Sequence, residues 1–251
     1  MRSRYSSSAS HFAYSFGPGP LTPAIKAIVV TNVAAFVMTL IVPAITLYLG
    51  LRPADIVGRL HVWQPITYMF LHAGIFHILF NMLALWMFGV ELERTWGSRF
   101  FLEYYFICGA GAAMTTMVLS FVPGSFGQEL YTSLTIGASG AVYGVLLAYA
   151  MYFPNRPIYM YFVFPIPAKY FVAIIGAISL LSSMSGPGGG IAHTTHLGGL
   201  LAGYLYLKRG RIHVLSQIKY RYVKWRINRV RRRFDVYSGG RGEKDVDRRV
   251  H

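Results

Sequence analysis

Apolar residues occur along this chain in long runs rather than in alternation with polar residues. The runs lie at about 25–49, 71–92, 100–122, 137–153, 168–185 and 192–207. About 20 apolar residues are needed for a helix to cross ~30 Å of hydrocarbon, so each run predicts a membrane-spanning helix. The fourth and sixth runs are short, and short spans are expected where non-helical backbone lines a cavity enclosed by protein. The pattern predicts an all-α membrane protein with six helices.

Polar segments flank this hydrophobic body. Residues 1–24 are rich in Ser, Gly and Pro and show no cleavage site of the signal-peptide type, so we expect a flexible arm before a retained first span. Residues 208–237 place apolar side chains three and four apart among Lys and Arg, which predicts a basic amphipathic helix at the membrane surface. Residues 238–251 lack apolar content and are expected to be disordered. The membrane body is predicted at 25–207.

Composition supports a bilayer rather than water as the solvent. Hydrophobic residues make up 54% of the chain and charged residues 13%, too little charge for a soluble domain of this size. The net charge is +15, but 15 of the 24 basic residues lie beyond Leu207. Because this basic segment directly follows a span, anionic lipid headgroups are a better expected partner than nucleic acid. Cys108 is the single cysteine, so an intrachain disulfide is impossible.

The distribution of basic residues predicts the orientation. With six spans both termini lie on one side, and placing them in the cytoplasm leaves Arg52 and Arg59 as the external basic residues of the body. We therefore expect cytoplasmic N- and C-termini. A six-span body with a basic tail favours a bacterial inner membrane, with an organelle membrane as the open alternative.

Ser139 lies near the start of the fourth apolar run, within TIGASGAVYG. From Ser139 to Pro154 a helix measures roughly 22 Å, which is shorter than the hydrocarbon layer, so its start is expected inside the membrane. The preceding loop then has to dip inward around water or protein. Ser139 is accordingly a candidate nucleophile in a wet cavity, and an N-cap role is the alternative because Ser is favoured there.

A serine hydroxyl needs a base to remove its proton, and His196 in the last run is the candidate. An ionisable residue within a span is a functional candidate, although helix packing with an incidental histidine stays possible. Small residues recur at spacings of four beside both side chains and favour close helix approach. These small residues are Gly140 and Gly144 beside Ser139, and Gly199 and Gly203 beside His196.

Other side chains complete a possible acyl-transfer site. Tyr143 lies one turn after Ser139 and is positioned to pack on the imidazole ring. All nine Asp and Glu residues lie near span ends, in loops or in the tail, so the proposal is a dyad without an acidic member. His77 and Asn81 share a face of the second helix and are candidate oxyanion donors, or simply internal hydrogen-bonding residues. The Ser139 backbone N–H is a further candidate donor.

These residues, in this order, resemble the rhomboid intramembrane serine proteases over about residues 25–207. The resemblance rests on His77-x-x-x-Asn81, Gly137-x-Ser139-Gly140 with Tyr143, and Ala192-His193-x-x-His196 with Gly199 and Gly203. It implies a six-helix bundle whose water-filled cavity opens to the non-cytoplasmic side. It also implies that Ser139 and His196 form the dyad and that His77 and Asn81 stabilise the oxyanion.

The resemblance extends to residues outside the chemistry. Glu93-x-x-x-Gly97 resembles the family's structural Glu and Gly near the cytoplasmic edge, and Trp63 matches the Trp of its Trp-Arg pair. Gln64 stands where Arg is usual, a departure that concerns the anchoring of the first loop. His193 is expected at the cavity mouth and His72 in a structural role.

The implied function is hydrolysis of peptide bonds in or near transmembrane segments of membrane proteins, with no cofactor and no metal. The fifth helix, followed by a Gly-rich hinge, is a candidate lateral gate. H-E-x-x-H is absent from the sequence and no aspartate lies within a span, which disfavours metalloprotease and aspartyl protease chemistry. A rhomboid-like pseudoprotease that binds transmembrane helices without cutting them is the non-enzymatic alternative.

Overall fold

The computed structural model describes residues 17–160, 164–183 and 190–209, and these are mostly helical. The helices are α1 (Pro23–Ile41), α2 (Ala44–Leu49), α3 (Pro53–Arg59), α4 (Gln64–Thr67), α5 (Ile75–Trp96), α6 (Ser98–Leu119), α7 (Ser125–Thr132), α8 (Ser139–Tyr152), α9 (Ala168–Ser183) and α10 (Gly190–Lys208). A 3₁₀ turn covers Tyr68–Phe70. The predicted surface helix and disordered tail lie outside the described residues, as does most of the predicted arm.

Three of these helices, α1, α5 and α6, are long and apolar enough to cross a membrane. Two shorter apolar helices, α8 and α9, have 14 and 16 residues, and 14 residues make roughly 21 Å of helix. Large apolar side chains face outward along these helices, as a bilayer solvent requires. The mostly helical membrane fold is therefore confirmed, whereas the count of six spans stays a prediction.

The first apolar run is not a single helix, contrary to the predicted segment 25–49. α1 ends at Ile41 and α2 begins at Ala44, with Pro43 between them. Proline has no backbone N–H to donate and clashes with the preceding turn, so the helix stops there. The predicted long span is thus divided into one spanning helix and one short helix.

Glu93 joins three parts of the chain near the end of α5. Its carboxylate accepts hydrogen bonds from the backbone N–H groups of Ala24 (2.8 Å) and Ile25 (3.0 Å), and from the hydroxyls of Thr22 and Ser98. The first N–H groups of a helix have no partner within it, so Glu93 caps α1 from another helix. This is a structural position, at the opposite end of α5 from His77.

The described part of the predicted arm, residues 17–22, is bonded to α5. The Trp86 indole N–H donates to the Gly19 carbonyl (2.9 Å), and Arg94 donates to the Pro18 carbonyl (2.6 Å). Gly97, with φ +81°, then allows the sharp turn from α5 into α6. The N-terminal segment and the α5–α6 turn are in this way fixed together.

The core of the bundle lies around α8. Helices α5, α6, α9 and α10 lie against α8, and buried aromatic side chains of α6 fill the interior. The Tyr104 hydroxyl donates to the Gly144 carbonyl (2.7 Å), and the Tyr68 hydroxyl donates to the Gly109 carbonyl (2.8 Å). These bonds satisfy the phenols inside a largely apolar core.

A two-stranded antiparallel hairpin connects α8 to α9. Strand β1 (Pro157–Met160) pairs with β2 (Phe164–Pro167), with Ile158 opposite Ile166. Backbone bonds from Ala168 and Lys169 to the start of the hairpin fix where α9 begins.

Candidate active site

The segment before α8 presents Ser139 at the first position of a helix. Gly137 has φ +126°, a conformation that a side chain strongly disfavours. Its N–H donates to the Tyr68 carbonyl (3.0 Å), and two residues earlier Thr135 and Leu51 exchange backbone bonds of 2.8 and 2.9 Å. The segment between α1 and α5 therefore holds the approach to Ser139 in place.

Ser139 Oγ lies 2.8 Å from Nε2 of His196, on α10. The close approach of α8 and α10 makes this contact possible. A methyl group added to Gly199 would overlap the carbonyl oxygen of Gly140, so no larger residue fits there without separating the helices. Gly144 and Gly203 continue the same close contact one turn further along.

The ring of Tyr143 stacks on the ring of His196. Their centroids are 4.2 Å apart and their planes differ by 11°. The ring of His193 lies edge-on to His196 at 5.7 Å. Within the part of the chain that the structure describes, His196 Nδ1 has no hydrogen-bond partner, and no carboxylate takes the place of a third catalytic member.

His77 faces Gly137 from the start of α5. The backbone N–H of Ala73 donates to His77 Nδ1 (3.3 Å), so the neutral ring carries its proton on Nε2. A methyl group on Gly137 would lie 2.8 Å from that Nε2 and 3.7 Å from Ser139 Oγ. The Nε2–H group is thus aimed at the space beside Ser139, where an oxyanion would form.

Asn81 lies one turn after His77, and its side chain makes a hydrogen bond within α5. Its amide donates to the His77 carbonyl (2.8 Å), and its side chain lines the same cleft as Ser139. The second amide hydrogen is available for a ligand in the cleft. His72, expected to be structural, is buried with its ring 4.9 Å from that of His77.

A cleft of about 430 Å³ contains these groups and lies among α5, α8 and α9. Its lining residues are Phe76, His77, Phe80, Asn81, Ala84, Ser139, Val142, Tyr143, Leu146, Phe171 and Ile175. The walls are mostly apolar, and the polar groups gather at Ser139. Such a cleft suits an apolar polypeptide segment that presents one carbonyl to Ser139.

Trp63 and Gln64 lie in the segment between α1 and α5 and do not line the cleft. The Trp63 indole donates to the Tyr48 carbonyl (3.0 Å). Gln64 is fully buried, accepts from the Arg52 N–H (3.0 Å) and donates to the same Tyr48 carbonyl (3.3 Å). The neutral Gln64 side chain thus ties the loop together at the position where the resemblance expects arginine.

One polar contact at the site has no counterpart in the sequence predictions. Ser179 of α9 donates a hydrogen bond to the Tyr143 hydroxyl (3.2 Å). A serine in an apolar helix gives no signal of its partner, because small hydroxyl residues are common inside membrane helices.

Comparisons with known proteins agree with this fold and arrangement. The family model of the Rhomboid domain matches residues 59–210, more than half of the chain. The chain is a membrane-embedded member of the rhomboid family.

Three of the curated relatives each match a little over half of the chain. Rhomboid protein 1, mitochondrial, of Saccharomyces cerevisiae is 31% identical over 55% of this chain and 38% of its own length. The rhomboid protease GluP of Bacillus subtilis is 30% identical over 62% of this chain and 27% of its own. The rhomboid protease AarA of Providencia stuartii is 29% identical over 57% and 54%. The chain thus spans about a quarter to about half of the length of these relatives.

Proposed function

We propose that this protein is an intramembrane serine endopeptidase that cuts peptide bonds in or near transmembrane segments. The contact of 2.8 Å between Ser139 Oγ and His196 Nε2 carries the proposal. Two relatives named as rhomboid proteases support the same reading. The serine class rests on that contact and on the family resemblance.

The proposed reaction begins with attack of Ser139 Oγ on the carbonyl carbon of the substrate, while His196 Nε2 takes the hydroxyl proton. This direction requires the neutral imidazole to carry its proton on Nδ1. The tetrahedral intermediate then collapses as His196 gives the proton to the leaving amine. Water, activated by His196 in the same way, hydrolyses the acyl-enzyme and releases Ser139.

The negative oxygen of the intermediate needs hydrogen-bond donors that are already in position. The proposed donors are His77 Nε2–H, the Asn81 amide and the free backbone N–H of Ser139 at the start of α8. Tyr143 is proposed to orient His196 in place of an acidic residue. Gly140, Gly144, Gly199 and Gly203 support the dyad by keeping α8 and α10 close.

The cleft supports the proposal that the substrate is a membrane segment. It lies between α5 and α9, with Phe76 and Phe80 on one side and Phe171 and Ile175 on the other. We therefore propose lateral access between these helices, with α9 as the gate and water reaching Ser139 from the non-cytoplasmic side. The bacterial inner membrane stays a prediction, since the relatives include mitochondrial proteins.

Cleavage in lipid vesicles tests the proposal. The purified protein is reconstituted with a single-span protein that carries small residues at the intended bond. We expect wild type to yield a discrete product and Ser139→Ala and His196→Ala to reduce its rate by at least 10³-fold. Ser133→Ala, a change outside the cleft, is the matched control and should behave as wild type.

The same experiment separates the protease from a pseudoprotease. A protein that only binds transmembrane helices would retain the substrate in a co-purification without yielding more product than Ser139→Ala. Product formed equally with and without Ser139 across several substrates would contradict the proposal. Insensitivity to chelator would distinguish the serine mechanism from a metal-dependent one.

A further inference from the structure

Helix α9 presents one polar side chain to the rest of the bundle. Its buried residues are Ala168, Val172 and Ser179, whereas large apolar residues such as Ile178 and Leu181 face outward. Ser179 is 1% exposed, although α9 is otherwise held by few interior contacts. A hydroxyl buried at that depth is expected to have a hydrogen-bond partner, and its partner identifies its role.

The partner belongs to the site rather than to α9 itself. A serine in a helix commonly bonds a backbone carbonyl in the preceding turn, as Ser183 does with the Leu180 carbonyl (2.7 Å). Ser179 instead donates to the hydroxyl of Tyr143 at 3.2 Å. The contacts therefore run from Ser179 through Tyr143 and His196 to Ser139.

Stacking alone restrains the imidazole weakly. Parallel aromatic rings slide over one another at little cost, because offset arrangements differ little in energy. Apart from the contact of its Nε2 with Ser139, no polar contact in the described ranges fixes the turn of the His196 ring, because its Nδ1 has no protein partner there. A hydrogen bond at the far end of Tyr143 fixes the phenol, and the fixed phenol limits how far His196 can shift against Ser139.

The geometry points to Ser179 as a positioning residue: by bonding the Tyr143 hydroxyl it holds the ring that orients His196 toward Ser139. This inference rests on the proposed protease function and adds a residue to it. Ser179 does not touch the reacting atoms, so it acts through Tyr143. The orientation of His196 toward Ser139 therefore also depends on the position of α9, which carries Ser179.

Four variants test this role: Ser179→Ala, Ser179→Thr, Tyr143→Phe and the double variant Ser179→Ala/Tyr143→Phe. Ser183→Ala is the matched control, since its hydroxyl bonds its own helix. Each protein is assayed for kcat and KM on the single-span substrate in vesicles, for the rate of labelling by a small fluorophosphonate, and for its thermal midpoint. The fluorophosphonate reports the reactivity of Ser139 without passage of a polypeptide through the cleft.

We expect Ser179→Ala and Tyr143→Phe each to lower kcat and the labelling rate about three- to tenfold, the range that a hydrogen bond between membrane helices supports. KM should stay within about twofold of wild type, because the bond between Ser179 and Tyr143 is not a contact with the substrate. Ser179→Thr, which keeps the hydroxyl, should retain most of the activity. The double variant should be no slower than the slower single variant, because both changes remove the same bond.

Three outcomes would overturn the inference. The first is a Ser179→Ala variant whose kcat and labelling rate equal those of Ser183→Ala. The second is a rise in KM with unchanged labelling, which assigns Ser179 to substrate access. The third is a double variant whose loss of activity equals the two single losses combined, with each loss in proportion to the fall in thermal midpoint. That result would assign Ser179 to packing alone. Absence of cleavage and labelling in wild type would instead contradict the proposed function.

Discussion

At the residue scale, the site combines a close Ser139–His196 contact with few supporting polar groups. In the proposed dyad, the aromatic ring of Tyr143 takes the place of the orienting carboxylate of a triad. The polar groups beside Ser139 include His77, a proposed oxyanion donor. Its neutral ring carries the proton on Nε2, because a backbone N–H donates a hydrogen bond to Nδ1. The proposed chemistry should therefore depend also on residues that hold the rings of His196 and His77 in place.

Replacing His77 tests the oxyanion role directly. We expect His77→Ala to lower kcat about 10²–10³-fold while KM changes little, because the lost donor acts on the transition state. Steady-state cleavage of the single-span substrate measures both constants. A rise in KM at unchanged kcat would assign His77 to substrate binding instead.

The carboxyl group of Asp55, in α3, predicts that the stability of the protein depends on pH in the acid range. Hydrogen bonding from Arg52 (2.7 Å) holds the pKa of the Asp55 carboxyl below its ordinary value. The stabilisation is therefore present above the unfolded-state pKa of about 3.9 and is lost as pH falls through the lower folded-state pKa. The thermal midpoint should drop as pH is lowered from 5 to 3.

Asp55→Asn is the control for that pH dependence. It should have a lower midpoint than wild type at pH 5 and a smaller further drop at pH 3, because the amide does not titrate. Midpoints that fall in parallel for the two proteins would show that other groups account for the acid sensitivity.

At the scale of elements, the close contact between α8 and α10 is the feature that joins serine and histidine. The spacing of small residues in the sequence indicates this packing, since Gly140 and Gly144 are four positions apart in one helix and Gly199 and Gly203 are four apart in the other. The structure adds the specific clash, between any side chain at Gly199 and the Gly140 carbonyl.

Gly199→Ala should accordingly lower cleavage at least tenfold, because the helices must separate and carry His196 away from Ser139. Gly176→Ala on α9 is the matched control, since its added methyl would meet only Leu200 at an ordinary 3.5 Å. Cleavage is compared at equal amounts of membrane-inserted protein. Equal activity of the two variants would contradict the proposed role of the close contact.

Other elements could not be predicted from the sequence. The apolar pattern of 25–49 is continuous. Hydrophobicity alone does not indicate that the helix ends before Pro43, because proline does not interrupt the apolar run. The partner of Ser179 depends on how α9 lies against α8, which no local pattern encodes. Gln64 was recognised as a departure, but its bonds to Arg52 and Tyr48 depend on the folded loop.

At the scale of the whole molecule, the site is assembled from parts distant in sequence. Loop residues before α5 hold the approach to Ser139 through Tyr68, α5 supplies His77, α9 contacts Tyr143, and α10 supplies His196. Such a site depends on the complete bundle rather than on any one motif. The ordered motifs indicate the rhomboid family because they lie on three of the helices that meet at the site, α5, α8 and α10.

The most direct test of the central claim is covalent labelling of the protein in membranes with a fluorophosphonate, followed by mass spectrometry of the modified peptide. The mechanism predicts a single adduct on Ser139 that forms in wild type and is reduced at least 10²-fold in His196→Ala. An adduct on another residue, or labelling of Ser139 at an unchanged rate without His196, would contradict a dyad of these two side chains.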